Sequence, residues 1–191
     1  IPIAGLPVEN GVLILQGGRI LAVGPAASTA IPAGAEVRDA RGKVIMPGLV
    51  DSHSHIGGAS GADGASPVQP EVRVLDAIDV RHASIQKAQA GGITTVNVMP
   101  GSGHLISGQT LYLKLRDGRV IDDLLIRLSD GSTAGGLKMA NGTNSIRTPG
   151  GPFPGSRAKS AALVREQFVK AQEYKARRER AGNDPEKLPP R

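Results

Sequence analysis

The first apolar runs of this chain are residues 12–16 (VLILQ) and 19–23 (RILAV), separated by Gly17-Gly18. Two glycines supply the positive φ angles that a tight two-residue connection demands, so the pattern predicts an antiparallel hairpin. A Pro/Ala/Gly/Ser-rich link over 24–34 follows, then a short extended piece at 36–39 and a turn at Arg41-Gly42. Residues 1–46 therefore read as a small antiparallel β unit. Such a unit is too short to bury a core alone and must lean on something else.

Further on the period changes. Within residues 71–90, Leu75, Ile78, His82, Ile85 and Ala88 recur at helical spacing, and Gly91-Gly92 closes the run. On that face His82 reads as a packing residue. Residues 93–99 (ITTVNVM) are β-branched and uncharged and end at Pro100-Gly101, as a buried parallel strand should. Strand, helix, strand is the unit of an α/β fold. Residues 111–115 predict another strand, 121–128 a short helix, and 134–139 (AGGLKM) a strand end. A loop rich in Asn, Gly, Thr and Pro occupies 141–155. Residues 159–180 form a second helix with Leu163, Val164, Phe168, Ala171 and Tyr174 on one face, and 183–191 close the chain as a loop. There is no internal repeat.

Residues 44–55 (VIMPGLVDSHSH) join an apolar, strand-like start to a Pro-Gly turn, Asp51 and two histidines. Alternate side chains of a strand share a face, so His53 and His55 project together while Ser54 faces away. Two imidazoles on one face can hold a metal ion between them. Asp51 reads as support for a ligand or as a turn cap rather than as a ligand itself.

Composition narrows the alternatives. The 191 residues include no cysteine, which excludes disulfides and thiolate metal sites. No run is long and apolar enough to span a bilayer and no signal segment is visible, so no membrane partner is expected and cytoplasm and periplasm both stay open. A chain that starts on Ile reads as processed, trimmed or incomplete. Of the net charge of +6, most sits in residues 157–191, which hold 10 of the 23 basic residues and 5 of the 17 acidic ones. With two Phe and two Tyr there is little surface on which bases could stack, so the charge reads as a solvated helix face and no nucleic-acid partner is expected. The glycine-rich stretch 57–66 lacks dinucleotide spacing.

The segment with Pro47, Gly48, Asp51, His53 and His55 resembles the PGxxDxHxH signature of the metal-dependent amidohydrolase superfamily. The likeness extends outward. GGITTVNVMPG resembles the superfamily's second barrel strand, and GSGHLISGQ, GGLKMANGTN and the helix PGSRAKSAALVREQFVKAQEY resemble a bacterial imidazolonepropionase-related subgroup. This implies an α/β fold: the first half of a (β/α)8 TIM-type barrel over residues 47–191, preceded at 1–46 by part of a composite β-sandwich. Complete barrels need about 250 residues, so the rest would come from the same gene product or a second chain, and an oligomer is expected.

The resemblance also implies a site. His53 and His55 would be metal ligands for one or two divalent ions, Zn2+ by preference. Lys138, lone in an apolar strand-like segment, would be a carboxylated Lys bridging two ions and counts as both a catalytic and a metal candidate. The alternatives for Lys138 are snorkelling from a strand end or pairing with Asp130. A Glu that the subgroup carries near Thr143 is absent. His104, in a Gly-rich loop after the second strand, is a substrate-binding candidate or an ordinary loop histidine. Asn97, Gln109, Asn141 and Asn144 are polar residues near strand ends that the sequence does not rank. The function implied is hydrolysis of an amide, cyclic amide or Xaa-Pro-like peptide bond by metal-activated water, on a small-molecule or peptide-like substrate. The competing reading is a catalytically inert subunit or fragment within a larger assembly.

Overall fold

The structure is a computed structural model that describes residues 1–59, 63–146, 154–182, 184 and 190. Part of the glycine-rich stretch expected over 57–66, half of the loop expected over 141–155 and most of the closing loop at 183–191 lie outside the described residues. The chain divides into two compact units, Ile1–Gly48 and Leu49–Arg191.

In the first unit β1 (Gly11–Gln16) and β2 (Arg19–Pro25) form the expected hairpin. Gly17 and Gly18 have φ of 56° and 74°, which side-chain-bearing residues adopt only with strain. A register shift between Ile14 and Leu15 bends the ladder, as an extra residue does. The turn at 41–42 is held by Asp39, whose Oδ1 accepts from the Arg41 backbone N–H at 2.9 Å. The Arg41 guanidinium beside Asp39 holds that carboxyl below the usual carboxylate range. Residues 36–39 form no strand, and the exposed Glu36 and Arg38 side chains pair with each other at 3.0 Å. Leu15, Ile20, Leu21 and Val23 are all more than half exposed.

The second unit is built on a three-stranded sheet, β3 (Leu49–Ser54), β4 (Ile93–Val98) and β6 (Leu111–Lys114), with β4 in the middle. β3 and β4 run parallel and are linked through helix α1 (Ala83–Ala90), whereas β6 returns antiparallel. Val96 and Val98 of β4 and Leu111 and Leu113 of β6 join Ile85 of α1 and Leu124 in one buried cluster. Leu124 is completely buried, so Leu124→Ala should lower the unfolding free energy by about 2–5 kcal/mol. Urea denaturation reads this; a loss below about 1 kcal/mol would mean that the cluster is not the core.

Two helices differ from expectation. The one expected within 71–90 is reduced to α1, preceded by a 3₁₀ turn at Val74–Asp76. The reason is a competing start signal. The His82 Nδ1 accepts from the Ser84 N–H at 3.2 Å, which caps α1, and the Asp79 N–H is spent on the Gly57 carbonyl at 2.9 Å. His82 is thus an exposed cap and not a packing residue. In the stretch 121–128 only Ile121–Asp123 coils, again as a 3₁₀ turn. Asp123 Oδ2 accepts from the Arg119 and Val120 N–H groups at 2.7 and 3.1 Å, which holds its carboxyl below the ordinary range. From Leu124 the backbone pairs along β6 instead of coiling: the Lys114 N–H donates to Leu124 O and the Ile126 N–H to Tyr112 O.

Strand β5 (Ile106–Gln109) pairs antiparallel with β7 (Leu137–Met139) in a separate ladder, setting Gly108 opposite Lys138. After β7 a four-residue helix α2 (Thr143–Ile146) interrupts the expected loop. Helix α3 spans Arg157–Ala181, two residues longer at its start than expected, because the Ser156 Oγ accepts from the Lys159 N–H at 3.2 Å. Ser156→Ala should cost about 1 kcal/mol, read as a lower unfolding midpoint. Of the apolar face expected on α3, Leu163, Val164 and Tyr174 are half-buried, while Phe168 and Ala171 are exposed. No helix among the described residues is long and apolar enough to cross a membrane.

Candidate metal centre

The histidine strand starts after Pro47-Gly48 rather than before it, and no turn forms at that pair. Residues 44–46 form no strand and are exposed, and pairing begins where the Leu49 N–H donates to Gly92 O at 2.9 Å. A proline has no N–H to give to a ladder, and β4, the only parallel partner among the described residues, starts opposite Leu49. The register then shifts between Asp51 and Ser54. Across that shift the His53 N–H is taken by Asp51 Oδ1 at 3.0 Å. Asp51 accordingly holds the backbone that carries the first histidine.

Alternation does the rest. Ser54 is buried while His53 and His55 are exposed, with ring centroids 5.2 Å apart and planes at 84°. His55 Nδ1 lies 2.7 Å from the Met99 carbonyl oxygen. A carbonyl can only accept, so Nδ1 carries the proton and the lone pair of a neutral ring falls on Nε2. Lys138 Nζ lies 3.3 Å from His53 Nε2 and 3.4 Å from Met99 Sδ. An ammonium can only donate, so His53 too presents a lone pair at Nε2.

Both rings therefore carry their lone pair on Nε2; the Met99 carbonyl orients the His55 ring, while His53 is held through its backbone N–H by Asp51 and its Nε2 meets Lys138 Nζ. That fits a divalent ion with imidazole ligands. The remaining donors are not assembled: among the described residues no group of three His, Asp or Glu side chains gathers at one point. Lys138 is only 9% exposed, and its neighbours in the structure are the histidine and the thioether rather than Asp130. Asp130 turns instead to the Ser132 hydroxyl and N–H, which hold its carboxyl below the ordinary range.

The other candidates lie apart or serve the scaffold. His104 is buried in the segment between β4 and β5, where its carbonyl accepts from the Ser107 hydroxyl at 3.4 Å. Gln109 donates to Pro70 O and Asn144 to the Ser102 hydroxyl, each tying one loop to another. Asn141 is exposed beside Arg157 and Val164. Asn97 is different. Its Oδ1 is buried without a hydrogen-bond partner among the described residues, on the same strand face as Met99. Met99 itself has no chemical signature in the sequence beyond its place at a strand end before Pro100, yet it touches two of the three site residues.

Comparisons with known proteins bear on this arrangement. No family model matches the chain. It is 31% identical over 134 residues to the amidohydrolase tasK of Hapsidospora irregularis, an alignment that covers 63% of this chain and 14% of that protein. It is 37% identical over 89 residues to the imidazolonepropionase of Methylobacterium nodulans, covering 47% of this chain and 20% of the relative. The crystal structure of an amidohydrolase from Thermotoga maritima MSB8 superposes with a TM-score of 0.77 at 31% identity, over 90% of this chain and 45% of that one. The chain spans less than half the length of each of these relatives.

Proposed function

We propose that this chain, a member of the amidohydrolase superfamily, carries the first metal-holding strands of an enzyme that hydrolyses C–N bonds. β3 and β4 are then the opening strands of a (β/α)8 barrel, with the hairpin of the first unit belonging to a composite β-sandwich. The remaining strands come from the rest of the same gene product or from a second chain.

The observation that carries this reading is the pair of Nε2-presenting imidazoles with a buried amine 3.3 Å from one of them. His53 and His55 hold a divalent ion, Zn2+ by the nature of the donors. Lys138 joins them after its ammonium gives up one proton and the free amine nitrogen bonds to the carbon of CO2 with release of a second, which replaces a cation with an anionic oxygen donor. The bound ion supplies Lewis-acid polarisation of a carbonyl and an acidified water. Asp51 fixes the backbone under His53, and the Met99 carbonyl fixes the tautomer of His55. The bonds within reach of this chemistry are amides, cyclic amides and Xaa-Pro-like peptide bonds.

Elemental analysis of the full-length protein purified without added metal tests the reading, together with amide hydrolysis before and after chelation. About one divalent ion per chain, with activity lost on chelation and restored by Zn2+, is expected. A metal-free protein that still hydrolyses the same amide contradicts it.

One observation favours a second reading in which the chain alone is an inert part of a larger assembly: the described residues complete only a fraction of a metal's donor set. Native mass spectrometry tests what both readings share. The half-barrel reading expects the chain in a larger particle, and a monodisperse monomer of 19.7 kDa contradicts it.

A further inference from the structure

The polar atoms of Met99 are all spent on the histidine strand and on Lys138. Its N–H donates to Ser54 O at 2.9 Å, between the two histidines. Its carbonyl accepts from His55 Nδ1 at 2.7 Å, and its thioether sulfur accepts from Lys138 Nζ at 3.4 Å. The residue is 7% exposed and follows directly on β4. Lys138 lies on β7, which is not hydrogen-bonded into the sheet of β3 and β4. The contact of Nζ with His53 and with Met99 is therefore where the two ladders meet at the candidate centre.

A strand end packed this way could be filled by leucine, which has nearly the same volume. Leucine would offer the amine no acceptor. Sulfur accepts weakly, and weakness matters here. A carboxylate in its place would hold the ammonium in a salt bridge, whereas a thioether steers Nζ toward His53 and leaves its nitrogen, once it gives up a proton, able to form a further bond.

We propose that Met99 is a positioning residue whose thioether holds the Lys138 amine against His53, while its carbonyl sets the tautomer of His55. The proposal rests on the reading of His53, His55 and Lys138 as one centre. It adds to that reading the residue that brings the lysine there.

The test is the reactivity of Lys138 in the metal-free, full-length protein, so that an absence of metal binding cannot be mistaken for failure of this inference. Acetic anhydride acylates an accessible amine with release of acetate, and peptide mapping by mass spectrometry gives the rate at each lysine. Met99→Leu should raise the Lys138 rate about fivefold, the effect of losing one weak hydrogen bond. Met139→Leu, one residue from Lys138 on the same strand, should leave that rate unchanged. A folded Met99→Leu protein with an unchanged Lys138 rate overturns the proposal, as does an equal rise in Met139→Leu. Should Met99→Leu not fold, norleucine incorporated in place of methionine removes the sulfur while keeping the unbranched shape, and the same rise or its absence decides. The carbonyl's part is read from imidazole 15N shifts of the unaltered protein. His55 protonated at Nδ1 supports it, and His55 protonated at Nε2 overturns it.

Discussion

Replacing His53 and His55 together with alanine should take the bound metal of the full-length protein from about one ion per chain to less than about a tenth. Both rings are exposed, and neither belongs to the buried cluster around Val96 and Leu113. Their loss removes one hydrogen bond to the Met99 carbonyl and the contact with Lys138 Nζ, so the melting temperature should move by only a few degrees. That separation is the point of the experiment. A structural pair would shift stability and leave metal content alone; a ligand pair does the reverse. Elemental analysis beside a thermal melt measures both, and metal content unchanged in the folded double variant would place the ion elsewhere.

The second large effect is expected at Gly108. Its φ is +122°, and a Cβ there would sit 2.4 Å from the Val72 carbonyl oxygen and 3.1 Å from the Val72 carbonyl carbon. The obstacle cannot swing aside, because it is backbone and that carbonyl already accepts from the Gln109 N–H at 2.7 Å. Gly108→Ala thus combines a strained backbone with a rigid clash, at a cost on the order of 3 kcal/mol or more. Gly108 also faces Lys138 across the β5–β7 ladder, so the displacement reaches the candidate centre. Gly131 is the control. Its φ is +82° but nothing lies within 4 Å of its added Cβ, so Gly131→Ala should cost only about 1 kcal/mol. Denaturant midpoints for the two variants test this, and equal stability would mean that β5 does not pack against Val72 as described.

Local signals in the sequence were sufficient where a single physical cause acts. Gly17-Gly18 could only be a positive-φ connection, and the uncharged β-branched run at 93–98 is the central strand. The one-residue spacing of His53 and His55 dictated a shared face, and Ser54 is buried opposite them. Reading failed where two causes compete. The helical period within 71–90 is real, yet the Asp79 N–H and the His82 ring commit to other partners, and the α-helix is confined to Ala83–Ala90. Leu124 and Ile126 likewise answer to the open edge of β6 rather than to their own spacing. Part of the site was legible for the same reason. Lys138 stood out as a cation in an apolar run, whereas Met99 acts through a backbone carbonyl and a thioether, and neither changes the hydrophobic pattern of a strand. The apolar face of α3 is a further case: the pattern at Phe168 and Ala171 is amphipathic, but a pattern alone does not say which surface covers it.

On this reading the Nε2 atoms of His53 and His55 hold a metal. Zinc-edge X-ray absorption of the zinc-loaded, full-length protein addresses it directly. The account predicts imidazole nitrogens at about 2.0–2.1 Å in the unaltered protein, with the imidazole scattering reduced by two rings, or lost with the ion itself, in the double alanine variant. Identical spectra from the two proteins, or a shell of oxygen donors without imidazole, would contradict it.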